Sequence, residues 1–61
     1  MELLKKALKD ESIMIRKYAA WGILKLDMEV GLEILDNHSE HEKNQSVIEE
    51  IENLKEYFKI S

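Results

Sequence analysis

Along almost the whole chain apolar residues recur every three or four positions, and no proline interrupts them. That spacing stacks apolar side chains on one face of an α-helix, whereas a half-buried strand would alternate them at every second residue. With only two glycines and a charged fraction of 36%, the chain has few helix breakers and enough polar side chains to solvate its outer faces. An all-α fold is therefore predicted. Sixty-one residues leave room for a single domain, 1–61, with one core.

Four short helices follow from the pattern. Leu3, Leu4, Ala7 and Leu8 give a first helix ending near Lys9, and the side chains of Asp10, Glu11 and Ser12 can cap the next one. The second, Ile13 to Leu26, is apolar on more than one face. Ile15, Ala19, Gly22, Ile23 and Leu26 form one stripe, Ile13, Ala20 and Leu24 a second, and Met14, Tyr18 and Trp21 a third. Such a helix sits in the middle of a bundle or touches something outside it. Asp27 is the candidate cap of a third helix, built on Met28, Gly31, Leu32, Ile34 and Leu35 and running to about Asp36. Asn37 to Lys43 is polar throughout and reads as a loop, with two competing capping boxes, Ser39 with Glu42 and Ser46 with Glu49. The fourth helix carries Val47, Ile51, Leu54 and Phe58 in one stripe and ends near Lys59.

The order short, long, short, long has an internal period. An offset of 28 aligns Leu4 with Leu32, Ala7 with Leu35, Ala19 with Val47, Ala20 with Ile48, Ile23 with Ile51 and Leu26 with Leu54. Two stacked helical hairpins, 1–26 and 27–61, are thus expected, a minimal α-solenoid. Leu4, Leu8, Asp10, Ile15, Arg16, Ala19, Ala20 and Leu24 of the first unit resemble the HEAT-like repeats of the phycobilisome-lyase type. Over nearly its whole length the chain also resembles a family of short, uncharacterised bacterial HEAT-like domains. The matching positions there are Arg16, Ala19, Ala20, Trp21 and Leu24, then Asp27, then Gly31, Ile34 and Leu35, then Tyr57 and Phe58. The second unit departs from the pattern, because Asn44 stands where the offset would place the arginine. The resemblance implies a protein-binding or scaffold role. It also implies a structural part for Arg16, bridging a turn carboxylate such as Asp10 or an acid of the neighbouring repeat.

Little in the chain suggests reaction chemistry. There is no cysteine to act as a nucleophile or thiolate ligand, no Gly-rich phosphate loop, and no Ser/His/Asp arrangement above background. An enzyme is not expected, nor a cofactor. His38-Ser39-Glu40-His41-Glu42 holds residue types that bind zinc, but no third or fourth ligand is marked elsewhere. The segment reads as solvated surface, with no metal. Residues 1–26 carry a net charge of +3 and residues 27–61 a net charge of −7. The acidic second half and a pI near 5.1 argue against nucleic-acid binding through Lys5, Lys6, Lys9, Arg16, Lys17 and Lys25. No apolar run is long enough for a membrane span or a secretory signal, and a chain this small without cysteine suits a reducing compartment. A cytoplasmic protein without membrane or nucleic-acid partners is expected.

What remains is surface. Met14, Tyr18, Trp21 and Lys25, spaced by four, three and four, fall on one line of the second helix. They either close the core against the later helices or face outward as a protein interface. Glu49, Glu52 and Glu56 form an acidic row on the fourth helix. The leading expectation is a non-catalytic protein-interaction module that self-associates, with a dimer as the expected state, because two hairpins leave both solenoid ends uncapped. Leu3 and Leu8 at one end and Ile48 and Tyr57 at the other are its candidate terminal faces. The alternative is a small regulator or immunity-type inhibitor whose acidic face meets one basic protein target.

Overall fold

A computed structural model describes residues 2–60, and among these the chain is helical with no strand. The elements are α1 (Glu2–Ala7), α2 (Ile13–Leu26), α3 (Met28–Ser39) and α4 (Gln45–Ile60). The expected all-α class and the existence of four helices are borne out. Three boundaries moved, each for a local reason.

α1 stops before Lys9. Its end tightens, with the Lys9 N–H donating to the Lys6 carbonyl at 3.0 Å and the Asp10 N–H to that of Ala7 at 3.1 Å. The turn is closed by the Asp10 carboxylate, which accepts from the Ser12 N–H at 2.8 Å, and Ser12 Oγ then caps α2 by accepting from the Ile15 N–H at 3.3 Å. Asp27 alone joins α2 to α3. Its own N–H donates to the Ile23 carbonyl at 3.1 Å, and its Oδ1 accepts from the Val30 N–H at 3.1 Å. α3 runs past Asp36 to Ser39 because polar side chains turn back onto the carbonyls of its last turns. Ser39 Oγ donates to the Leu35 carbonyl at 2.8 Å, and His41 Nδ1 lies 3.1 Å from that of Asn37. Neither predicted capping box forms. Ser39 ends α3, Ser46 lies inside α4, and Asn44 caps α4 through Oδ1, which accepts from the Val47 N–H at 3.2 Å.

α2 is the centre of the molecule and packs against the other three helices, while α3 also packs on α4 and α1 rests on α2 alone. One core draws on all of them: Leu8 behind α1, Ala19, Ala20, Ile23 and Leu24 of α2, Leu35 of α3, and Val47, Ile51 and Leu54 of α4. Leu8 therefore belongs to the core and not to a terminal face, and Ile48 is half-buried, whereas Leu3 and Tyr57 are exposed. Ile13, Ile15 and Leu26 are also exposed, although the apolar stripes suggested otherwise. Three neighbours, one of them only six residues long, do not surround a helix of 14 residues, so its extra apolar faces stay uncovered. Across the offset of 28, Ala19 with Val47 and Ile23 with Ile51 are buried in both units, but Leu26 is exposed where Leu54 is buried.

Gly31 lets α3 cross α2 closely. A Cβ at that position would lie 3.0 Å from the Ile23 carbonyl oxygen and 3.1 Å from both Ile23 Cγ2 and Leu24 Cδ2, an obstruction that includes backbone. At Gly22 the added Cβ would meet only the movable tip of Leu4, at 3.2 Å. Alanine improves helix propensity by roughly 1 kcal/mol at either site, whereas overpacking costs roughly 1–3 kcal/mol. Gly31→Ala should therefore lower stability by about 1 kcal/mol and Gly22→Ala should leave it level or raise it, as read by thermal or urea unfolding. Equal effects at the two sites would contradict the packing described.

Candidate functional site

Three surfaces emerge from this framework. The first is the outer ridge of α2. Met14, Tyr18 and Trp21 are 60%, 67% and 46% exposed and, with Lys17 and Glu50 of α4, line a shallow groove of about 340 Å³. Lys25 continues the line, its ammonium 5.2 Å from the centre of the Trp21 ring, a contact that holds the indole while leaving it accessible. Of the two orientations open to these residues in the sequence, the outward one is observed. The second surface is the acidic row, in which Glu49, Glu52 and Glu56 are all exposed on α4. Their neighbour Lys55 is turned the other way and pairs with Asp36 of α3.

The third is a polar cluster beside an open cleft. The Glu42 side chain is only 4% exposed and takes three contacts. Arg16 Nε donates to Oε1 at 3.1 Å, His38 Nε2 lies 2.7 Å from the same oxygen, and the Asn44 N–H donates to Oε2 at 3.1 Å, while the Arg16 ion pair adds charge to its hydrogen bond. An ionised carboxylate only accepts, so His38 Nε2 carries the hydrogen in this contact. Arg16 Nη1 donates to the main-chain carbonyls of Asp10 at 2.6 Å and Glu11 at 3.1 Å. The arginine thus ties the α1–α2 turn to an acid of the second half; it meets Asp10 through the backbone oxygen, while the Asp10 carboxylate serves Ser12.

The segment read as solvated surface therefore divides. Glu40 and His41 are exposed, but His38, Ser39 and Glu42 are half-buried and structural, because the α3 extension carries them back against α2. Glu42 was the residue that sequence reasoning missed. The signal was present as an acid four residues beyond His38, the i, i+4 spacing at which side chains of a helical turn meet. Among the described residues no three His, Cys, Asp or Glu side chains converge into a group that could hold a metal ion. Among the described residues no helix is long and apolar enough to cross a membrane.

The cleft measures about 820 Å³ and separates α1 from α3. Lys5, Lys6 and Lys9 line it from the α1 side and Ile34, Asn37 and His38 from the α3 side, with Arg16 and Glu42 also reaching it. Glu2, Leu8, Asp10 and His41 complete the lining of this open cleft.

Burial pushes the Glu42 carboxyl up, but the hydrogen bonds from His38, the Asn44 N–H and Arg16, with the charge of Arg16, outweigh it and hold the group below its ordinary value. A carboxyl depressed in the folded state adds stability above its unfolded-state pKa, and that contribution is lost as pH falls through the folded-state value. Glu42→Gln should lower stability at neutral pH by about 1–3 kcal/mol, because it leaves Arg16 and His38 imperfectly matched. It should also flatten the fall in stability between neutral and acidic pH; unfolding curves as steeply pH-dependent as those of the wild type would refute this role.

No family model matches the chain, and no curated protein or solved structure is significantly similar to it.

Proposed function

We propose that this chain is a non-catalytic, cytosolic protein-interaction module that self-associates through the outer ridge of α2, its helices forming two HEAT-like hairpins. The observation that carries the reading is the exposure of Met14, Tyr18 and Trp21 in a single line on the most central helix. Aromatic and methionine side chains of this kind are enriched at the centres of protein interfaces, where a few of them dominate the binding energy. A standard interface takes about 800 Å² from each partner. The described surface totals 4452 Å², so such a contact would cover a substantial share of it and add to the roughly 3–5 kcal/mol that a core of this size supplies.

The hairpin reading has its own support. Arg16 binds the carbonyls of the acidic turn that joins α1 to α2, and the long helices α2 and α4 pack against each other through offset-related residues such as Ile23 and Ile51. The lack of cysteine suits a reducing cytosol. The exposed acids of α4 favour a second reading, a regulator that captures one basic protein in 1:1 fashion with an on-rate that falls steeply with salt.

Trp21 is the chain's one tryptophan, so its fluorescence reports this surface directly. Dilution of the wild type should shift the emission to the red as the ridge is uncovered. Trp21→Ala should weaken self-association by about 2 kcal/mol, roughly thirtyfold in Kd, without a matching loss of folding stability. A wild-type chain whose emission and sedimentation are independent of concentration would sink the self-association.

A further inference from the structure

The cleft between α1 and α3 has an occupant written into the same chain. Lys6 and Lys9 on its rim have no carboxylate partner among the described residues, and Lys5 reaches only the exposed Glu2, at a loose 4.0 Å. Glu52 and Glu56 on the outer face of α4 equally lack a cation among the described residues, and Glu49 touches only the Gln45 amide, at 3.5 Å. These acids are spaced by three and four residues and so form one line roughly 10 Å long, close to the length of α1 itself. Leu8 and Ile34 lie beneath the lysines, and Glu2 and Asp10 also line the cleft, while Arg16 and Glu42 there neutralise each other; the acidic row is flanked by the exposed ring of Tyr57. Three lysines against two exposed acids leave the cleft an excess of positive charge for that row.

We infer that the α1–α3 cleft docks the acidic face of α4 from a second copy of this chain, giving a head-to-tail contact distinct from the α2 ridge. The inference rests on the reading of the protein as a self-associating module, and it names a second surface and its occupant. The two faces differ, so the contact is heterologous: each copy offers a cleft and an α4, and unless the rotation closes a ring the assembly grows with concentration. The +3 and −7 halves orient the approach, which makes the contact sensitive to salt.

A charge swap tests it by sedimentation velocity on the full chain. One variant carries Lys5→Glu, Lys6→Glu and Lys9→Glu; the other carries Glu49→Lys, Glu52→Lys and Glu56→Lys. The wild type should grow past a dimer as its concentration rises. Each reversed variant alone should stop at the dimer made by the α2 ridge, and mixing the two should restore growth, since each cleft then meets an α4 of opposite sign. In a Trp21→Ala background, which weakens the ridge, the same reversals should take the remaining association down by roughly tenfold or more. Should a reversed variant fail to fold by circular dichroism, the neutral pairs Lys6→Gln with Lys9→Gln, and Glu52→Gln with Glu56→Gln, test the same contact by its weakening. Wild-type assembly that halts at a dimer, or growth that ignores the reversals, overturns the inference and leaves the α2 ridge standing. A wild type that stays monomeric overturns both, and leaves the cleft to an acidic segment of a different protein.

Discussion

One carboxylate holds the two halves of this molecule in register. Glu42 gathers the guanidinium of Arg16 from α2, the imidazole of His38 from α3 and the N–H of Asn44, the residue that starts α4. Taking a carboxylate out of water costs several kcal/mol unless its oxygens are well matched, and here each oxygen is. Arg16 extends the tie to the Asp10 and Glu11 carbonyls, so the connections on either side of two helices meet at one cation. Apolar burial around Ile23, Leu35 and Ile51 supplies the bulk of the driving force, but it is non-directional. The polar tie defines which edge of α2 receives the α3–α4 connection.

Much of this was legible in the residues and some was not. The helices show because their apolar spacing is regular, and Ser12 and Asp27 show as caps because each immediately precedes a periodic run. The end of α3 was obscured, since Asn37, His38 and Ser39 look like loop by polarity; the side chains of His38 and Ser39 in fact serve a buried acid and that helix's own Leu35 carbonyl, and His41 faces the Asn37 carbonyl. Asn44 read as a lapse in the repeat when its actual task is to cap α4, a position that favours asparagine. The three apolar stripes of α2 announced a helix with too much apolar surface. They could not say which stripe would go uncovered, because that depends on the lengths and crossing of its neighbours.

The same accounting explains where recognition can occur. A central helix normally disappears from the surface, yet α2 has only three neighbours, one of them very short, and so it is both the core and the most apolar part of the exterior. Gly31 brings α3 in closely on one side, which leaves the Met14, Tyr18 and Trp21 side open without loosening the interior. The exposed apolar ridge and the folding core are thus opposite faces of a single element.

α1 rests on α2 alone and has six residues, well below the roughly 12–15 at which an isolated helix becomes marginally stable in water. Leu4, Ala7 and Leu8 hold it in place, and no other helix shares that work. Local opening follows the least supported element, so the amides of α1 should exchange with solvent at a lower free energy than those of α2. One side of the lysine-lined cleft is therefore the least supported helix of the fold, and an occupant of that cleft should be felt first as slowed exchange in α1.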